Sequence, residues 1–156
     1  MPHAVILGVG NPVLRDDAVG LEVATRALQI LGDRPDVVVR ESERGGLDLV
    51  ELLEGAEVAV VVDAVLDPGR AVGSVLRLDF TEVGATTHLH GAHGVDLPTA
   101  VAVGRKLGVA MPRHVWVVGV VVEDVLTLGE GLTPAVARAV ESAARLAVAL
   151  AGAGTD

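Results

Sequence analysis

Hydrophobic positions in the first half of the chain alternate between short continuous runs and longer stretches at helical spacing. An apolar run at Val5–Leu7 is followed by apolar residues at helical intervals over Ala18–Leu31. A β-branched run at 37–39 and an amphipathic stretch at 47–53 repeat that order. Residues 58–62 are apolar at every position, which is typical of a strand covered on both faces of a parallel sheet. The pattern predicts strand, helix, strand, helix, strand.

The second half of the chain continues the alternation with one different strand. Residues 74–80 alternate between apolar and polar, which indicates a half-buried strand at or near a sheet edge. Apolar spacing predicts a helix at 97–107. The apolar run at 115–122, broken only by Gly119, predicts another buried strand. A last helix is expected from the N-cap Thr133 to about Leu150.

Strands and helices that alternate in this way predict an α/β fold, a three-layer α/β/α sandwich. Its central sheet is expected to be mainly parallel, with about five strands, one of them antiparallel. A length of 156 residues suits one domain. We expect this domain to span residues 1–151, with a flexible tail at 152–156.

Composition excludes several classes of function. Hydrophobic residues make up 51% of the chain, but no run of about 18 apolar residues is uninterrupted, so we expect no membrane span. The absence of cysteine and of a signal-peptide pattern indicates a cytoplasmic protein. A net charge of −9, with scattered basic residues, argues against binding to nucleic acid. Among oligomeric states, we favour a monomer.

The loop after the first strand carries glycines and two acids. Gly8 and Gly10 match the start of a dinucleotide-binding fingerprint, but Val13 occupies the position of its third glycine. Asp16 and Asp17 would place two carboxylates where a pyrophosphate binds, which disfavours a nucleotide. Carboxylates here commonly cap a helix. We assign the helix cap to Asp16 and the cleft to Asp17.

A further carboxylate and a group of histidines extend the candidate site. Asp63 directly follows five apolar residues and is expected at the carboxyl end of a buried strand, where open α/β sheets bind ligands. His88, His90 and His93 lie within six residues, just before the third predicted helix. Two carboxylates and an imidazole suit a divalent transition metal such as nickel or zinc. A solvated loop explains the histidines equally well at this point.

The segment LGVGNPVLRDDAVG at residues 7–20 resembles the nickel-iron hydrogenase maturation proteases. The resemblance continues through VVDAV at 61–65 and through the residues from VVGVVVED to GLTPAV at 117–136. It implies a sheet flanked by helices and an endopeptidase that removes a C-terminal peptide from a hydrogenase large-subunit precursor once nickel has been inserted. The glycines at 45–46 are similar to the family's second loop, which implies a place near the substrate tail.

The resemblance also implies a set of site residues. In that family, the second acid of the pair, an Asp after the central strand and a histidine in a later loop are associated with metal binding. They correspond to Asp17, Asp63 and His93, with His88 and His90 left open as the histidine. The implied metal is nickel supplied by the precursor, or another divalent metal in its place. These three residues are accordingly predicted as both catalytic and metal-binding.

Two other classes of function remain as alternatives. One is a non-catalytic hydrogenase assembly or nickel-sensing partner, which would bind the large subunit without cutting it. The other is a nucleotide-binding α/β protein, which the missing third glycine and the paired acids disfavour. The mass of the precursor after incubation distinguishes the first alternative, because only a protease shortens it.

Overall fold

The computed structural model describes residues 2–43, 47–79 and 97–152, which form an α/β fold built on a five-stranded sheet. The strands are β1 (Ala4–Val9), β2 (Val37–Ser42), β3 (Val58–Leu66), β4 (Val75–Asp79) and β5 (His114–Val122). The helices are α1 (Val19–Leu31), α2 (Asp48–Leu53), α3 (Leu97–Lys106) and α4 (Pro134–Gly152).

The strand order is β2-β1-β3-β5-β4. Four strands pair in parallel, and β4 pairs antiparallel with β5 at one edge. From β1 the chain moves to β2 on one side and then returns to β3 on the other side. The switch point of the sheet therefore lies between β1 and β3. In open α/β sheets, the ligand-binding crevice lies at this point, outside the carboxyl ends of the strands.

Helices cover both faces of this sheet. Because successive strand residues point to opposite faces, Val60 and Val62 of β3 pack with α1 and α4. Ala59 and Val61 pack with α2 and α3 on the other face. The predicted three-layer sandwich with one antiparallel strand is confirmed.

One predicted element boundary is wrong. β3 does not end before Asp63 but continues to Leu66, because β5 keeps pairing with it beyond the end of β1. Helix α4 ends at Gly152, close to the predicted end at about Leu150. Across the described residues, no helix combines the length and apolar character needed to cross a bilayer.

Two glycines let α1 approach the sheet closely. A Cβ on Gly8 of β1 would lie 2.3 Å from the carbonyl oxygen of Gly20 in α1. A Cβ on Gly20 would in turn lie 2.2 Å from the Val9 oxygen and 2.5 Å from the Val62 oxygen. Only glycine fits at these distances. The first turn of α1 therefore rests on the carboxyl ends of β1 and β3, beside the switch point.

Candidate active site

Asp17 lies in a 3-10 turn, Arg15–Ala18, between β1 and α1 and is fully buried. The Asn11 backbone N–H donates to Asp17 Oδ2 at 3.2 Å, and the Asp17 N–H donates to the Leu14 oxygen at 2.9 Å. A Cβ on Gly10 would lie 2.5 Å from the backbone carbonyl oxygen of Asp17. The glycine thus lets the loop fold back on itself and hold the Asp17 carboxylate at the carboxyl end of β1.

Asp63 lies within β3 and is only 7% exposed. The pairing of β1 with β3 ends at Gly8 and Val62, so Asp63 is the first residue of β3 beyond its pairing with β1. Alternation along the strand directs its side chain to the face of the sheet covered by α2 and α3. The Ala64 N–H donates to Asp63 Oδ1 at 2.8 Å. Asp63 therefore borders the switch-point crevice, although the strand does not end there.

Asp17 and Asp63 come to the same edge of the sheet. The 3-10 turn that carries Asp17 packs against β3. Gly20, three residues after Asp17, rests on the carbonyl of Val62, the residue before Asp63. The close fit of the helix thus fixes the relative positions of the two backbone segments. The two buried carboxylates therefore lie at the carboxyl ends of β1 and β3, beside the switch point.

Asp16 has a different role from the one predicted. Neither the 3-10 turn nor α1 has a side-chain cap, and Ala18 occupies the N-cap position of α1 because the turn delays the helix. Asp16 is buried, its Oδ1 accepts from the Thr133 N–H at 2.7 Å, and its Oδ2 accepts from the Thr133 hydroxyl at 2.6 Å. The predicted cap is wrong, and the carboxylate instead holds the residue before α4.

The predicted histidine ligand lies outside the described residues. His88, His90 and His93, like the glycines at 45–46, fall in the gaps between the described ranges. Within the described ranges, no group of three histidine or acidic side chains is arranged to hold a metal. Helix α3, which begins at Leu97 soon after the histidines in sequence, packs on the face to which Asp63 points.

The described histidines lie at the other end of the sheet. His3 immediately precedes β1, and its Nδ1 is 3.2 Å from a Glu57 carboxylate oxygen. His114 begins β5 and stacks on Trp116, with ring centroids 4.5 Å apart. Both positions are at the amino ends of parallel strands, so neither histidine belongs to the crevice.

Ser42 is a further polar residue at the crevice edge. It ends β2, is paired with Val9 and is 8% exposed. Its backbone oxygen accepts from the Gly10 N–H at 3.1 Å, which ties the glycine loop to β2. Ser42 is not among the predicted site residues, because β2 extends beyond the β-branched run at 37–39 from which the strand was predicted.

The fold and the site define an open-sheet α/β protein with a carboxylate site at its switch point. A family model for hydrogenase maturation protease, HycI, matches residues 21–150. The hydrogenase 2 maturation protease of Escherichia coli (strain K12) is 30% identical over 141 residues, covering 89% of this chain and 84% of that protein. The chain therefore belongs to the hydrogenase maturation protease family and is an endopeptidase.

Solved structures agree with this assignment. The hydrogenase maturating endopeptidase HybD from Escherichia coli gives a TM-score of 0.80 at 29% identity, covering 99% of this chain and 94% of that one. The [NiFe] hydrogenase maturation protease HybD from Thermococcus kodakarensis gives 0.77 at 25% identity, covering 97% and 99%. The predicted family and the predicted enzyme class are confirmed, whereas the roles of Asp17, Asp63 and His93 stay predictions.

Proposed function

We propose that this endopeptidase removes a C-terminal extension from a nickel-iron hydrogenase large-subunit precursor after nickel has been inserted. Family membership supports a role in hydrogenase maturation. The observation that carries the site assignment is the pair of buried carboxylates, Asp17 and Asp63, on the two sides of the switch-point crevice. Burial of two acids where open α/β sheets bind ligands favours a functional role over a structural one.

The donor chemistry of the crevice fits a divalent transition metal carried by the precursor. Carboxylate oxygens together with an imidazole suit nickel, and His93 is the proposed imidazole. Asp17 and Asp63 each accept a backbone N–H, from Asn11 and Ala64. Such outer hydrogen bonds fix the orientation of a ligating carboxylate. Recognition of nickel in the precursor would make cleavage wait for metal insertion.

Hydrolysis at this site needs a polarised carbonyl and an activated water. A nickel ion in the precursor would supply a Lewis acid for one or both of these tasks. The chain's own carboxylates would hold the metal-bearing end of the precursor. One of them would accept the proton of the attacking water and return it to the departing amine. The non-catalytic alternative has lost its support, because the relatives are named as proteases and endopeptidases.

The substitution Asp63→Asn tests the assignment, because it removes the charge and keeps the volume. We expect nickel-loaded precursor to keep its full mass with this variant, while the thermal unfolding midpoint stays close to that of the wild type. Asp33→Asn is the matched control, since Asp33 is exposed between α1 and the amino end of β2. A D63N variant that trims the precursor as fast as D33N would contradict the role of Asp63.

Nickel dependence is tested with the wild-type enzyme alone. Precursor prepared without nickel should remain uncut, and precursor loaded with nickel should lose its extension in the same mass-spectrometric assay. Equal cleavage of both forms would show that cleavage does not depend on recognition of nickel by the two carboxylates. It would leave the endopeptidase assignment unchanged.

A further inference from the structure

The segment from Glu123 to Thr133, between β5 and α4, exposes two large apolar side chains next to the candidate site. Leu126 is 80% exposed and Leu128 is 76% exposed. Val13, in the loop before Asp17, is 52% exposed. Apolar side chains that are grouped on a surface mark sites of interaction more often than isolated ones do. We call Val13, Leu126 and Leu128 the apolar platform.

Backbone hydrogen bonds join the two loops of the apolar platform. The Gly129 N–H donates to the Val13 oxygen at 2.9 Å, and the Arg15 N–H donates to the Gly129 oxygen at 3.1 Å. Leu14 and Gly129 form a parallel bridge. A Cβ at position 129 would lie 2.9 Å from Arg15 Cγ, so a larger residue there would require the Arg15 side chain to shift. The platform and the Asp17 turn are therefore one connected unit.

The segment that carries the leucines is also ordered internally. Asp124 accepts from the Leu126 N–H at 2.7 Å and from the Thr127 hydroxyl. Val125 and Leu132 pack against the core between the sheet and helices α1 and α4. The chain thus buries two apolar residues of this segment and leaves Leu126 in water. A preorganised surface of this kind loses little conformational entropy when a partner binds.

The charges around the apolar platform complete an interface-like arrangement. A cleft of about 520 Å³ beside it is lined by Arg15, Glu123 and Arg138, among others. All three side chains are exposed, and within the described ranges neither arginine forms an ion pair. Protein interfaces typically have an apolar centre and a polar rim in which arginine is frequent.

We infer that the apolar platform is a docking surface for an apolar segment of the hydrogenase large-subunit precursor. This inference rests on the proposed function. We choose the precursor as the occupant because the apolar platform is continuous with the proposed active site. The platform is hydrogen-bonded to the turn of Asp17, so a protein that is cut at the crevice must pass beside the platform. Docking at Leu126 and Leu128 would hold the precursor while its extension lies over the two carboxylates.

The double variant L126Q/L128Q tests the platform, with nickel-loaded precursor as the substrate. We expect KM to rise by at least about tenfold, because two leucines no longer bury apolar surface against the precursor. We expect kcat to stay near the wild-type value, because the lost contacts stabilise the bound substrate and the transition state equally. The unfolding midpoint should not change, since both side chains are exposed. L107Q is the matched control.

The control replaces a leucine of similar exposure, 72%, at the opposite end of the sheet. Leu107 follows α3, and the chain then leads into the amino end of β5. If the wild type cuts the precursor and L126Q/L128Q has the same KM as L107Q, the docking inference is wrong and the proposed function stands. If the wild type cuts no precursor, the proposed function itself fails.

Light scattering checks a second occupant, another copy of this chain. We expect the wild type and L126Q/L128Q to have the same mass in solution. A wild-type dimer that the double variant converts to a monomer would assign the platform to self-association and overturn the inference.

Discussion

Replacing Thr133 with valine tests the tie between the paired acids and helix α4. Valine keeps the shape of the side chain and removes the hydroxyl that donates to buried Asp16 Oδ2 at 2.6 Å. Hydrogen bonds to charged groups contribute about 1.5–3 kcal/mol, and a buried acceptor that loses its donor keeps its desolvation penalty. The second bond, from the Thr133 N–H at 2.7 Å, is unaffected.

We therefore expect T133V to lower the free energy of unfolding by about 2 kcal/mol. For a domain of this size, this corresponds to a fall of about 4–8 °C in the unfolding midpoint. T133S should restore the wild-type value, because serine keeps the hydroxyl. The matched control is T25V, which removes an exposed hydroxyl that donates to the Leu21 oxygen. That change should cost no more than about 0.5 kcal/mol.

A double-mutant cycle separates the Asp16 bond from any loss of helix capping at Thr133. The variants T133V, D16A and the combination of both should show a coupling energy of about 1.5–3 kcal/mol. Urea unfolding gives each value. If the two changes add to within about 0.5 kcal/mol, the residues act independently, and the stabilising role of the hydroxyl bond to Asp16 is refuted.

Two further predictions concern the packing of α1 and its exterior. G20A should lower the free energy of unfolding by about 1–3 kcal/mol, because a Cβ would lie 2.2 Å from the Val9 backbone oxygen. The control is G152A, where a Cβ meets nothing within 4 Å. Equal unfolding midpoints for the two variants would contradict the close fit at Gly20. The hydrogen bond from Arg26 lowers the pKa of Glu141 from 4.5 to about 2. The Glu141 ion pair therefore stabilises the fold fully above pH 4.5, and this contribution is lost as the pH falls towards 2. Urea unfolding of wild type and E141Q should show a difference that shrinks over this range, and a constant difference would argue against the ion pair as its source.

The layers of this fold are predictable from the sequence, because the apolar pattern of a single strand shows whether one or both of its faces are buried. The continuous apolar residues at 58–62 and 115–122 predicted strands covered on both faces, and they became neighbours at the centre of the sheet. The end of β3 was not predictable in the same way. Asp63 interrupts the apolar run, but the neighbouring strand β5 continues to pair with β3 as far as Leu66. A strand's end depends on its partner as well as on its own residues.

The candidate site was predictable in part for a related reason. Asp63 was expected at the carboxyl edge, and the structure has it there, at the end of the β1 pairing. The partner of Asp16 was not predictable, because Thr133 is 117 positions away and looked like an ordinary N-cap. Local patterns report which side chains are available, whereas contacts across the fold decide which of them meet.

The two adjacent acids of the motif are therefore not equivalent, because the 3-10 turn directs them to different partners. Two neighbouring carboxylates in one buried pocket would repel each other. In this turn, Asp16 is bound to Thr133 before α4, while Asp17 is held by Asn11 at the crevice. The first acid consequently fixes the backbone that presents the second. Replacing Asp16 would therefore disturb the crevice by releasing the turn from Thr133. Replacing Asp17 would remove the carboxylate at the crevice itself.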